Sequence, residues 1–215
     1  MLLPPLTDLV ALLGIDLVLC AAGLRLLSGR NGVTPRWAKW VVLACFVLLW
    51  FPAGAARLPL VAYVRGLSSD LSMTLVALAC LGLCQRLFGM HIMAQRESLT
   101  LSAAVALAAI LLYPVALGWG DWDVYRLGWG SFGMLGILLA LSLMFWSRGL
   151  RLLPALVGLA LLAWVAGLME SNNLWDYLLD PWLSIAAMIQ CMKAGFQGLQ
   201  HRYKPFAPAD QPSSP

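Results

Sequence analysis

Charge is what this sequence has least of. Only 11% of its 215 residues are Asp, Glu, Lys or Arg, while 61% are hydrophobic. Soluble domains carry about 25% charged residues. A water-soluble core of this size could not hide so much apolar surface, which points to lipid as the solvent. Histidine is nearly absent, with two residues, His91 and His201. Both fall at the ends of apolar runs, so no pair faces across a bundle interior to hold a haem. The five cysteines, Cys20, Cys45, Cys80, Cys84 and Cys191, all lie inside apolar runs. That excludes a loop-borne disulfide framework. Cys80 and Cys84 share a helix face without further ligands at matching depth, so they read as small packing residues.

Other absences narrow the function. There is no phosphate-binding glycine loop, no HExxH, no CxxC and no serine–histidine–aspartate set. No reaction is named, no catalytic residue and no metal site is assigned, and no cofactor is expected. The net charge is +4, but the basic residues form no patch interleaved with aromatics, so nucleic acid is excluded as a partner. The first residues, Met-Leu-Leu-Pro-Pro-Leu-Thr-Asp, lack a basic n-region. They are not expected to form a cleaved signal peptide.

What is present is a series of apolar runs. A spanning helix needs about 20 mostly apolar residues. Seven such runs are read at residues 6–28, 38–56, 71–91, 99–118, 129–147, 152–169 and 179–199. Breaker residues separate them: Arg30-Asn31-Gly32 with Pro35, Arg96-Glu97-Ser98, Gly118 to Asp123, Ser147-Arg148-Gly149 and Ser171-Asn172-Asn173. Between Arg57 and Arg65, Leu-Pro-Leu-Val-Ala-Tyr-Val is too short to span and reads as interfacial or re-entrant on the outer surface. The expected fold is therefore an all-α polytopic membrane bundle of about seven helices. Residues 1–204 form one transmembrane domain, and residues 205–215, rich in proline, form a disordered cytoplasmic tail.

Orientation follows from Lys and Arg in short loops. With the N-terminus outside and the C-terminus cytoplasmic, the inner segments hold Arg25, Arg30, Arg36, Lys39, Arg86, Arg96, Arg148, Arg151, Lys193, Arg202 and Lys204, which is 11 of 14 basic residues. Arg57, Arg65 and Arg126 remain outside. The acids Asp8, Asp70, Asp121, Asp123, Glu170, Asp176 and Asp180 also fall outside.

Small residues cluster in the fourth, fifth and sixth runs, with Pro114 set to kink the fourth near its outer end. Small residues three or four apart let helices approach closely in lipid. The expectation is tight packing of these three helices, with close contacts at Gly133 and Gly158.

Two features carry candidate chemistry. The first is an outer-face rim made of Asp121, Asp123, Tyr125 and Arg126 from one loop and Glu170, Asn173, Trp175, Asp176 and Asp180 from another. Carboxylates beside aromatic rings suit sugar hydroxyls and ring faces, or a cation. A carboxylate pair also suits general acid–base work. Solvated loop acids with an aromatic belt have the same composition. Arg126 is expected to pair with Glu170 or Asp176. The second feature is intramembrane. Asp16 sits about ten residues into the first run, with Lys193 or Gln190 as possible partners.

Three functional readings follow. The favoured one is an accessory or scaffold protein of a cell-envelope pathway handling a polysaccharide or glycolipid, in a bacterial inner membrane. Its partners would be the lipid bilayer and another membrane or envelope protein. The alternatives are a small transporter using Asp16 and Lys193, and a membrane enzyme with an outer-face carboxylate site.

Overall fold

The computed structural model describes residues 5–28, 34–90, 93–120 and 123–202. Among these residues the fold is all-α apart from one two-residue strand pair. Helix α1 covers Leu6–Leu27 and α2 covers Arg36–Leu49. Strands β1 (Pro52–Ala53) and β2 (Leu58–Pro59) pair antiparallel and lead into α3, Leu60–Ser68. Next come α4 (Met73–Phe88) and α5 (Gln95–Ala116). A 3-10 turn at Tyr125–Gly128 precedes α6 (Phe132–Ser147) and α7 (Leu152–Val165). The short α8 (Leu174–Leu178) opens onto α9 (Pro181–Arg202). The expected tail at residues 205–215 lies outside the described residues, as do His91 and Asp121. His201 lies in the last turn of α9.

Each long helix coincides with one of the apolar runs, with shifted ends. The second run stops at Leu49, because Trp50 begins the turn into the β1–β2 pair. The interval after it holds the hairpin and α3, which at nine residues is short. Local chemistry starts several helices. Ser72 accepts a hydrogen bond from the Leu75 amide, and Ser131 accepts one from the Met134 amide. Among the described residues two helices, α1 and α5, are long and apolar enough to cross a membrane.

Hydrogen bonds fix the relative directions of the helices. Asp180, which opens α9, bonds Ser72, which opens α4. Arg65 ties Asp8, in the first turn of α1, to Glu170, just past α7. These residues mark the upper end of the bundle. At the lower end, Lys39 near the start of α2 donates to the Leu87 carbonyl near the end of α4. Glu97 at the start of α5 accepts from the first amides of α7. The long helices therefore alternate in direction along the chain.

Packing divides into two groups. Helix α1 lies against α2, α3 and α4, and α5 lies along α9. Helix α7 joins them by packing on α4, α6 and α8. The main core combines Val105, Ala106 and Leu112 of α5 with Leu156, Ala160 and Ala163 of α7 and Leu183 and Ala187 of α9. Small residues thus do bring α5 and α7 into the interior.

The expectation for α6 fails. Met134 is its one buried residue, and Ile137, Leu139, Leu143 and Trp146 are exposed. A Cβ added at Gly133 or at Gly158 would meet nothing within 4 Å. Close approach occurs instead at Gly14, where a Cβ would sit 2.9 Å from Val76 Cγ2 and the Val76 side chain of α4 would have to give way. Pro114 lies inside α5, two residues before its end.

Candidate functional site

The upper end carries a cleft of about 460 Å³. Its wall is built by the α3–α4 junction, the end of α5, the 3-10 turn and the segment from Met169 to Pro181. Asp70, Glu170, Asp176 and Asp180 line it, beside Tyr113, Tyr125 and Trp175. Four carboxylates, one from the α3–α4 junction and three from the Met169–Pro181 segment, thus share one concavity with three aromatic side chains.

Arg65 organises one side of it. The arginine sits in α3, which leaves β2 at Pro59 and presents its last turn toward the start of α1. Its guanidinium engages three carboxylates through three different nitrogens. Nη1 meets Asp8 at 2.7 Å, Nε meets Asp70 at 2.7 Å and Nη2 meets Glu170 at 2.9 Å. The Asp70 hydrogen bond raises the guanidinium pKa above its ordinary value, and partial burial opposes it. Three acids around one cation leave this side net negative. Sequence reading placed Arg65, Asp8 and Asp70 on the outer face without assigning them a role. No local pattern joins positions 8, 65, 70 and 170.

The other side is held by a second network. The Tyr125 hydroxyl donates to the Asp176 carboxylate, 2.9 Å from Oδ2 and 3.1 Å from Oδ1. The Ser171 hydroxyl bonds the same carboxylate. Burial, then the hydrogen bond and charge of Asp176, push the Tyr125 phenol up to about 12. Beneath it, Asn173 is fully buried. Its amide donates to the Tyr125 carbonyl at 3.0 Å, and its oxygen caps α8 by accepting from the Trp175 amide at 3.0 Å. The Trp175 indole donates to the Val124 carbonyl at 3.1 Å. Gly128 sits against Asn173 and Trp175 with no room for a side chain. These contacts join the two upper loops into one unit.

The structure thus sorts eight of the nine rim residues, Asp121 lying outside the described residues. Tyr125, Glu170, Trp175 and Asp176 line the cleft with polar or aromatic groups. Asp180 reaches it but is buried and committed to structure. One oxygen accepts from the Leu183 amide at 2.8 Å, and the other accepts from the Ser72 amide at 3.0 Å and from its hydroxyl at 2.5 Å. Asn173 is an internal strut. Asp123 is exposed and accepts from the Arg126 amide at 3.1 Å. The side chain of Arg126 makes no ion pair among the described residues, and Arg65 holds Glu170 in its place. Tyr113, which lines the cleft and receives the Ser184 hydroxyl at 3.4 Å, was not singled out in the sequence.

The intramembrane pair expected from sequence does not form. Asp16 is fully buried midway along α1. Its Oδ2 accepts the Trp50 indole N–H at 2.7 Å, and the Cys20 thiol donates to Oδ1 at 3.5 Å. Lys193 is exposed on α9, and Gln190 donates to the Ser98 hydroxyl at 2.7 Å. The reason is helix order: α1 packs on α2, α3 and α4, while α9 packs along α5. Among the described residues no side-chain N or O is buried without a partner, and no group of three His, Cys, Asp or Glu is placed to hold a metal ion.

No protein-family model matches the chain, and comparison with curated proteins and with solved structures returned no match.

Proposed function

We propose that the chain is a seven-span membrane protein, outside at its N-terminus and cytoplasmic at its C-terminus, that holds a polyhydroxylated ligand at its outer face. The spans are α1, α2, α4, α5, α6, α7 and α9, and α3 and α8 lie at the outer surface. Support for the spans comes from the alternating helix directions and from the apolar side chains exposed around α2 and α6. Such surfaces in water would be an aggregation hazard, whereas lipid covers them. The basic residues concentrate at the lower end, which is then the cytoplasmic one.

The observation that carries the binding role is the cleft itself. Glu170 and Asp176 are already positioned by Arg65, Tyr125 and Ser171. Their remaining lone pairs are fixed acceptors for ligand hydroxyls. Trp175 and Tyr113 offer apolar faces of the kind sugar rings stack on. In this reading the protein is an accessory component of a cell-envelope pathway for a polysaccharide or glycolipid, in a bacterial inner membrane. The transporter reading loses its main support because Trp50 and Cys20 occupy Asp16.

Two experiments test this. Alkaline phosphatase fusions after Gly120 and Asn173 should be active, and fusions after Arg96 and Ser147 inactive. The reverse pattern sinks the topology. Glu170→Gln and Asp176→Asn should keep normal membrane abundance yet fail to complement a deletion strain. Full complementation by both would reduce the rim to a solvated surface.

A further inference from the structure

A second concavity, of about 700 Å³, runs along the outside of the bundle between α4 and α7 and reaches the start of α5. Small side chains open it: Ala77 and Cys80 on α4 and Ala155 on α7, with Leu159 further along. Its polar residues, Glu97 and Arg151, stand at the start of α5 and the start of α7. The two differ in what they offer. Glu97 Oε1 accepts from the Arg151 amide at 2.8 Å and the Leu152 amide at 3.2 Å. Its charge is thereby spent on the positive end of α7. The Arg151 guanidinium makes no ion pair among the described residues and rests over the Trp146 ring, 5.8 Å from its centroid. Arg148 lies three residues before it and Arg96 lies next to Glu97, both exposed. An apolar channel therefore ends in a mouth where arginines outnumber the single, already engaged, acid.

We propose that this groove binds an anionic phospholipid of the cytoplasmic leaflet, with one acyl chain between α4 and α7 and the phosphate against Arg151. The proposal rests on the membrane orientation given above, which puts the start of α7 at the cytoplasmic surface. The complementarity is of two kinds. The small residues leave space that apolar side chains of the bundle do not fill, and a flexible alkyl chain fits such space by dispersion contacts. The unpaired guanidinium gives a planar donor fork suited to phosphate oxygens. A zwitterionic headgroup gains less from that mouth than an anionic one, since each basic residue near the surface favours anionic lipid.

The test uses the full chain purified in mild detergent, with added phosphatidylglycerol or phosphatidylethanolamine of identical acyl chains, read by native mass spectrometry. The wild-type chain should retain phosphatidylglycerol about fivefold better. Arg151→Gln should remove that preference, and Arg36→Gln, at a lower-end arginine on α2, should not. Ala155→Phe should fill the groove and release both lipids, with the thermal melt of each variant confirming that it is folded. Equal retention of the two lipids by the wild type would overturn the proposal. So would an intact preference in Arg151→Gln, or unchanged retention in a folded Ala155→Phe. A chain that stays in solution without detergent would sink the membrane reading and the groove together. A detergent-requiring chain with no lipid preference sinks the groove alone.

Discussion

Replacing Gly128 by alanine should be among the most damaging single-methyl changes in the protein. Gly128 is buried at the end of the 3-10 turn. A Cβ there would lie 2.7 Å from both Asn173 Cγ and Trp175 Cδ1, and nearer still to Asn173 Oδ1. Neither neighbour is free to retreat. Asn173 holds the Tyr125 carbonyl and the Trp175 amide, and Trp175 holds the Val124 carbonyl. If the chain keeps these bonds, overpacking costs about 1–3 kcal/mol. If Asn173 swings out, each buried polar group left unpaired costs about 1–3 kcal/mol. The first route thus gives a loss of about 1–3 kcal/mol, and the second, which unpairs at least the Tyr125 carbonyl and the Trp175 amide, about 2–6 kcal/mol. Gly133 is the matched control. It lies in α6 with nothing within 4 Å of an added Cβ. Alanine there should stabilise by about 0.5–1 kcal/mol through lower backbone entropy in the unfolded chain. At roughly 2–4 °C per kcal/mol for a chain of this size, Gly128→Ala should lower the melting temperature by on the order of 10 °C. Gly133→Ala should raise it slightly. Far-ultraviolet circular dichroism during heating in mild detergent reads both. Equal melting temperatures for the two variants would refute the claim that the upper loops interlock through Asn173.

Other outcomes follow from the same geometry. Arg65→Lys should behave nearly like Arg65→Ala in thermal melts, because a single ammonium cannot meet Asp8, Asp70 and Glu170 with three separately aimed donors. The loss should be about 1–2 kcal/mol, since Glu170 is largely exposed and each such pair contributes little. Full rescue by lysine would show that only charge matters there. The Tyr125 phenol, raised from 10 to about 12, stabilises the folded chain fully below pH 10, and that contribution is lost as pH rises through 12. Ultraviolet titration should find one tyrosine ionising near 12 that is missing in Tyr125→Phe and shifts downward in Asp176→Asn. An unchanged curve in Tyr125→Phe contradicts the assignment. Asp180→Ala removes the acceptor for the Ser72 amide and hydroxyl and for the Leu183 amide. It should cost about 2–4 kcal/mol, and a melt within 2 °C of wild type, on the scale above, would argue against that network.

Much of the architecture is local and was legible from the chain alone. Apolar runs broken by Arg, Asn, Gly and Pro dictate where helices start and stop, because backbone hydrogen bonding is satisfied within four residues. Ser72, Ser131 and Asn173 cap from adjacent positions for the same reason. The rim composition was also visible, since Tyr125, Glu170, Trp175 and Asp176 lie in two short loops. Which residues meet was not. Asp16 finds Trp50 and Cys20 rather than Lys193, because α2 and α4, not α9, neighbour α1. The glycines of α6 look like a packing face, yet α6 lies at the edge of the bundle and they face open space. Asp180 turns inward as a helix cap while Glu170 stays out on Arg65, although both are loop carboxylates. Arg65 reaches Glu170, 105 residues along the chain. Sequence periodicity determines which face of a helix is apolar. Only the packing of one helix against another decides which polar groups share a cleft.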